Sequence, residues 1–145
     1  MAYLRELEVR YKLVPTNIDI IGKKLESAEL VYAAFNFLKL ETKEKFIVIN
    51  LNNQNGIMNF ETVATGTVNS IQLRPCEVFR TAILKNSPSI IVCHNHPSGN
   101  PVPSQSDIAI TKKLVECGKL LGIDVLDHII IGESSFVSLK QLDKM

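Results

Sequence analysis

Cysteine is scarce. Cys76, Cys93 and Cys117 are three in number and show no C-x-x-C spacing, which argues against a disulfide framework and a thiolate zinc site and for free thiols in a reducing compartment. An excess of either charge is also lacking. Sixteen Lys and Arg face fifteen Asp and Glu, a net charge of +1. The signs are interspersed, as in Lys43-Glu44-Lys45, so long-range attraction to nucleic acid or anionic lipid is weak. No stretch approaches the roughly 20 apolar residues of a membrane helix. The opening Met1-Ala2-Tyr3-Leu4-Arg5-Glu6 is charged where a secretory signal needs an apolar run. These absences predict a cytoplasmic chain with no membrane partner.

What is present is enough apolar sequence for one core. At 145 residues and 46% hydrophobic composition, a single domain buries its surface without a disulfide or structural metal, so any metal would serve chemistry. Residues 4–14 alternate loosely between apolar and charged and stop at Pro15, which predicts an edge strand or an arm, and residues 1–26 are assigned to it. The domain proper is placed at 27–145. Ser27 is expected to cap a helix over 28–39, with Leu30, Val31, Ala34, Phe35 and Leu38 on one stripe. A hairpin is expected from strands at 45–51 and 57–66 around the Asn52–Gly56 turn. Pro75 opens a predicted helix over 75–85, and the apolar run 89–93 reads as a strand covered on both faces. A helix over 105–121 ending near Gly118 and Gly122 comes next, with strands at 123–131 and 135–139. Strands alternating with helices predict an α/β fold, a three-layer α/β/α sandwich with a mixed sheet.

Two of the three histidines, His94 and His96, stand at the end of the 89–93 strand, and three of the six prolines follow at Pro97, Pro101 and Pro103. On extended backbone residues i and i+2 point to one side, so both imidazoles project together while Asn95 points away. Pro97 keeps His96 out of the helical region. Two convergent neutral imidazoles are a good half of a zinc site. Such a pair is read equally well as a hydrogen-bonded strand end. Ser104 and Asp107, at the mouth of the next helix, read on their own as a capping box with an acid favoured by the helix dipole. His128, beside Asp127 in an apolar strand, reads as structural or as an outer partner rather than a ligand. Cys93 falls on the opposite side from His94 and reads as core.

The run His94-Asn95-His96-Pro97-Ser98-Gly99, followed by Pro103-Ser104 and Asp107, resembles the His-x-His, seven residues, Ser-x-x-Asp signature of the JAMM/MPN+ (JAB) metalloproteases, and more closely their bacterial RadC branch. The stretches Gly66-Thr67-Val68-Asn69-Ser70, Pro75-Cys76-Glu77-Val78-Phe79 and Leu126-Asp127-His128-Ile129-Ile130-Ile131-Gly132 also look like that branch, and the resemblance covers about residues 27–143. It implies a zinc ion held by His94, His96 and Asp107 with water in the fourth position. It implies Glu44, at the opening of the first core strand, as general base. It implies Ser104 as the donor that stabilises the oxyanion, and a peptide or isopeptide bond in a protein substrate as the bond hydrolysed.

Other functions compete with this one. The fold includes scaffold relatives that have lost their metal ligands, which would make the chain a non-catalytic binding domain. The RadC branch is also associated with DNA repair, although fuller members carry a helix-hairpin-helix segment before this part. With about 26 residues ahead of the domain, nucleic acid is expected to bind weakly at most. A zinc deaminase, related in outline, is set aside because its His-x-Glu and Pro-Cys-x-x-Cys pattern is missing. The alternating arm is of a kind that pairs with the sheet edge of a second copy, which would make a homodimer.

Overall fold

The computed structural model describes residues 1–15, 23–66 and 73–145. The stretch 67–70 and residues 16–22 of the arm lie outside the described residues. Residues 1–15 run without helix or strand and are exposed throughout, so residues 4–14 do not take up the expected edge strand here. The first regular helix, α1 (Ala28–Phe35), begins where the Ser27 side chain accepts the Leu30 amide. It ends earlier than its apolar spacing suggests, because the chain tightens into a 3-10 turn over Asn36–Leu40.

Strands β1 (Glu44–Leu51) and β2 (Ile57–Gly66) form the expected hairpin. In its turn the Asn52 side chain accepts the amides of Gln54 and Gly56, both at 2.9 Å. Helix α2 (Pro75–Leu84) starts on Pro75, whose missing N–H costs nothing at that position. Strand β3 (Ser89–Asn95) is buried along its whole length. Helix α3 (Gln105–Leu121) carries a complete capping box between Ser104 and Asp107 and ends on Gly122 at φ +72°. Strands β4 (Asp124–Ile131) and β5 (Phe136–Ser138) finish the sheet.

The sheet runs β2-β1-β3-β4-β5 and is mixed: β3 and β4 are parallel, joined across α3, and the other pairs are antiparallel. Period-two alternation divides its side chains between two cores. Ile47, Ile49, Leu51, Ile91, Cys93, Ile129 and Ile131 meet α1 on one face. Phe46, Val48, Ile90 and Val92 meet α2 and α3 on the other, against Val78, Phe79, Ile110 and Leu114. The result is the expected three-layer α/β/α sandwich. Among the described residues no helix is long and apolar enough to cross a membrane.

Candidate metal centre

The topology decides which side chains meet. Side chains that bind ligands in α/β sheets gather outside the carboxyl ends of the strands, and β3 delivers His94 there. Because β1 runs antiparallel to β3, with Phe46 opposite His94, its amino end lies at the same edge. Glu44, two residues before Phe46, therefore falls on the His94 side of the sheet. Asn95, pointing the other way as the alternation requires, ties the two strand ends together. Its Oδ1 accepts the Lys45 amide at 2.7 Å and its Nδ2 donates to the Lys43 carbonyl at 3.0 Å. Asn95 thus serves the backbone, and the backbone it fixes is the one that carries Glu44.

Four predicted site residues come together. The Nε2 atoms of His94 and His96 are 3.0 Å apart. Asp107 reaches across from the first turn of α3, with Oδ1 3.3 Å from His94 Nε2 and Oδ2 3.2 Å from His96 Nε2. Glu44 Oε1 stands 3.9 Å from His96 Nε2, and ligand atoms of Glu44, His94 and His96 all lie within 4.8 Å of one another. Zinc–ligand bonds of 2.0–2.1 Å at tetrahedral angles place neighbouring ligand atoms about 3.3 Å apart. The contacts among His94, His96 and Asp107, in which each ring meets a different carboxylate oxygen, are of about that length, and the donor set suits a divalent metal ion.

The ring of His96 has its Nε2 aimed at this point. Its Nδ1 sits 2.8 Å from the Asn100 carbonyl, which has no hydrogen to give, so Nδ1 donates and Nε2 turns to the site. The loop behind it is pinned: Gly99 donates to the His96 carbonyl at 2.9 Å, and Glu133 donates to the Gly99 carbonyl at 3.0 Å. His94 is fully buried and stacks on Phe46 at 5.9 Å between centroids, which gives the centre an apolar wall. Ser104, the fifth predicted residue, is exposed at the rim of the site. Its Oγ accepts the Asp107 amide at 3.1 Å and its amide donates to Asp107 Oδ2 at 2.8 Å. Capping uses an oxygen lone pair, so the O–H keeps its capacity to donate.

The electrostatics fit a cluster that gathers positive charge. Burial opposes the Asp107 charge, but the hydrogen bonds it accepts, among them those from the His96 ring and the Ser104 amide, outweigh it and hold the carboxyl well below the usual carboxylate range. The hydrogen bond to Asp107 raises His96 above its ordinary value, against an opposing effect of burial. His128, read from the sequence as structural or as an outer partner, lies directly behind His94. Its Nε2 is 2.7 Å from His94 Nδ1, and its Nδ1 is 2.6 Å from Thr111 Oγ1. Burial first, and the His94 ring second, push His128 well below the ordinary imidazole range. Thr111 carried no signal in the sequence beyond its place one turn after Asp107 on the same helix face. Cys93 is buried in the opposite core, as expected, and burial and the Asp127 charge push its thiol up.

The family model for the RadC-like JAB domain matches residues 25–144. The chain belongs to the RadC-like JAB domain family. A UPF0758 protein of Clostridium botulinum (strain Hall) is 47% identical over 139 residues, 95% of this chain and 60% of the relative. A UPF0758 protein of Methanosarcina acetivorans is 50% identical over 126 residues, 86% of this chain and 55% of the relative. The chain thus spans little more than half the length of these curated relatives. Its RadC-like JAB match takes in Glu44, His94, His96, Ser104 and Asp107.

Proposed function

We propose that this chain is a zinc-dependent peptidase domain that hydrolyses a peptide or isopeptide amide bond, with His94, His96 and Asp107 as metal ligands. The observation that carries the reading is the trio of contacts at 3.0, 3.3 and 3.2 Å among two ring nitrogens and one carboxylate. When bound, the ion supplies Lewis acidity, polarising a carbonyl and making water a nucleophile near neutral pH. Glu44, held at the amino end of β1 beside His96, takes one proton from the attacking water at a carboxylate oxygen. It returns that proton to the amine as the C–O bond forms and the C–N bond breaks. The Ser104 O–H donates to the carbonyl oxygen as charge develops there. Phe46, stacked on His94 at 5.9 Å between centroids, backs the face of that ring.

The test is Glu44→Gln, assayed on zinc-loaded protein with a panel of peptide and isopeptide-linked substrates that the wild type cleaves. The variant should hold zinc as the wild type does and lose about 10²–10⁴ in turnover. Loss of zinc would make Glu44 a ligand rather than the base, in keeping with its reach to both rings. Undiminished hydrolysis would remove it from the chemistry, and a zinc-loaded wild type that cleaves nothing in the panel would favour a non-catalytic binding domain.

A further inference from the structure

Behind the site, four groups stand in line: His94 Nδ1 is 2.7 Å from His128 Nε2, His128 Nδ1 is 2.6 Å from Thr111 Oγ1, and Thr111 Oγ1 is 2.6 Å from the Asp107 carbonyl oxygen. Three of these side chains are fully buried, and the fourth group is backbone of a buried residue. We propose that His128 and Thr111 form a one-way hydrogen-bond chain that fixes the tautomer of His94, placing its hydrogen on Nδ1 and its Nε2 lone pair toward the candidate metal centre.

The direction follows from the last group. A carbonyl oxygen has no hydrogen, so a 2.6 Å contact with a hydroxyl is favourable only if Thr111 donates to Asp107. Having spent its single hydrogen, Thr111 accepts from His128 Nδ1. The His128 ring is wholly buried, against Phe46 at 5.5 Å and His94 at 4.8 Å between centroids. A neutral ring in that place has one N–H and one lone pair. With its hydrogen on Nδ1, His128 presents a lone pair at Nε2, and His94 must donate to it from Nδ1. The only nitrogen of His94 left without hydrogen is then Nε2, the one that faces His96 and Asp107.

The same conclusion reached for His96 through the Asn100 carbonyl now holds for His94 through a longer route. The route ends on the residue whose side chain is the third candidate ligand. Asp107 thus enters the site twice, with its carboxylate in front of the rings and its carbonyl as the terminus of the chain behind them. His128 and Thr111 touch neither substrate nor ion; they are positioning residues. This assignment rests on the metal-centre reading for its purpose, though not for its geometry.

The experiment reads the tautomer directly. Long-range proton–nitrogen correlation NMR on metal-free, nitrogen-15-labelled protein should show His94 with hydrogen on Nδ1 and a bare Nε2. Thr111→Val keeps the side-chain shape and removes the hydroxyl, so His94 should lose that tautomer preference and zinc affinity should fall about 10–100-fold. Thr111→Ser should restore both, which a purely structural role for the threonine methyl would not allow. Hydrogen on His94 Nε2 in the wild type, or Thr111→Val binding zinc as the wild type does, would overturn the proposal. If Thr111→Val does not fold, the wild-type and Thr111→Ser spectra decide it alone. Failure of the metal reading would look different: His94 with the expected tautomer in a protein that binds no zinc.

Discussion

Replacing Gly132 by alanine tests whether the loop that orients His96 is held by packing rather than by its own sequence. Gly132 lies between β4 and β5, outside the site. A Cβ placed there would stand 2.4 Å from the Gly99 carbonyl oxygen and 2.8 Å from Pro101 Cδ, distances at which backbone must move. Its φ lies outside the left-handed region, so the whole cost is steric. Overpacking of this kind costs about 1–3 kcal/mol. For 145 residues, at an unfolding entropy of about 2.1 cal/mol/K per residue, that is a fall of about 3–10 °C in Tm. The displaced atoms flank Asn100, whose carbonyl fixes the His96 ring at 2.8 Å, so zinc affinity should fall as well.

Gly122→Ala is the control. There φ is +72° and a Cβ meets nothing within 4 Å, so the left-handed conformation alone costs about 1–2 kcal/mol at the far end of α3. Thermal unfolding of the metal-free proteins and zinc competition against a chelating dye measure both effects. Gly122→Ala should lose stability and keep its zinc affinity; Gly132→Ala should lose both. A Gly132→Ala protein that melts within about 1 °C of the wild type, or that is destabilised with zinc affinity intact, would refute the coupling.

Two further outcomes follow from protonation. His96 is raised by the hydrogen bond it donates to Asp107, so zinc must displace its proton, and affinity should fall about tenfold per pH unit below the raised value; a flat titration would contradict this. In the metal-free protein, the His96 contribution to stability is complete below its ordinary value of about 6.5 and is lost as pH rises through the raised one. His128 is lowered, so its contribution is present above about 6.5 and lost as pH falls. Metal-free stability should therefore be highest near that pH, and a denaturation series showing a minimum there would count against the assigned environments. Thiol titration should find exposed Cys76 fast and buried Cys93 silent until unfolding; a fast Cys93 in native protein would contradict its placement in the core.

The sequence determined the local order of this molecule. Period-two and helical spacing located the elements, Ser27 and the Ser104–Asp107 box fixed two helix starts, and i, i+2 alternation sent His94 and His96 one way with Asn95 and Cys93 the other. Those signals are short-range, and each is written in neighbouring residues. Local pattern did not record where the first helix tightens, at Asn36–Leu40, nor that residues 4–14 find no strand to pair with and stay exposed.

Only the tertiary structure decided what stands around the two rings. The antiparallel pairing of β1 with β3 brings Glu44 to His96 across a separation of about fifty residues, and the parallel pairing of β3 with β4 sets His128 behind His94. Hydrogen-bond direction then passes through Thr111 to Asp107, residues joined by one helical turn yet placed at the site by a crossover. A ligand's chemistry can be read from its residue type; the tautomer that makes it a ligand depends on a partner brought near by the sheet.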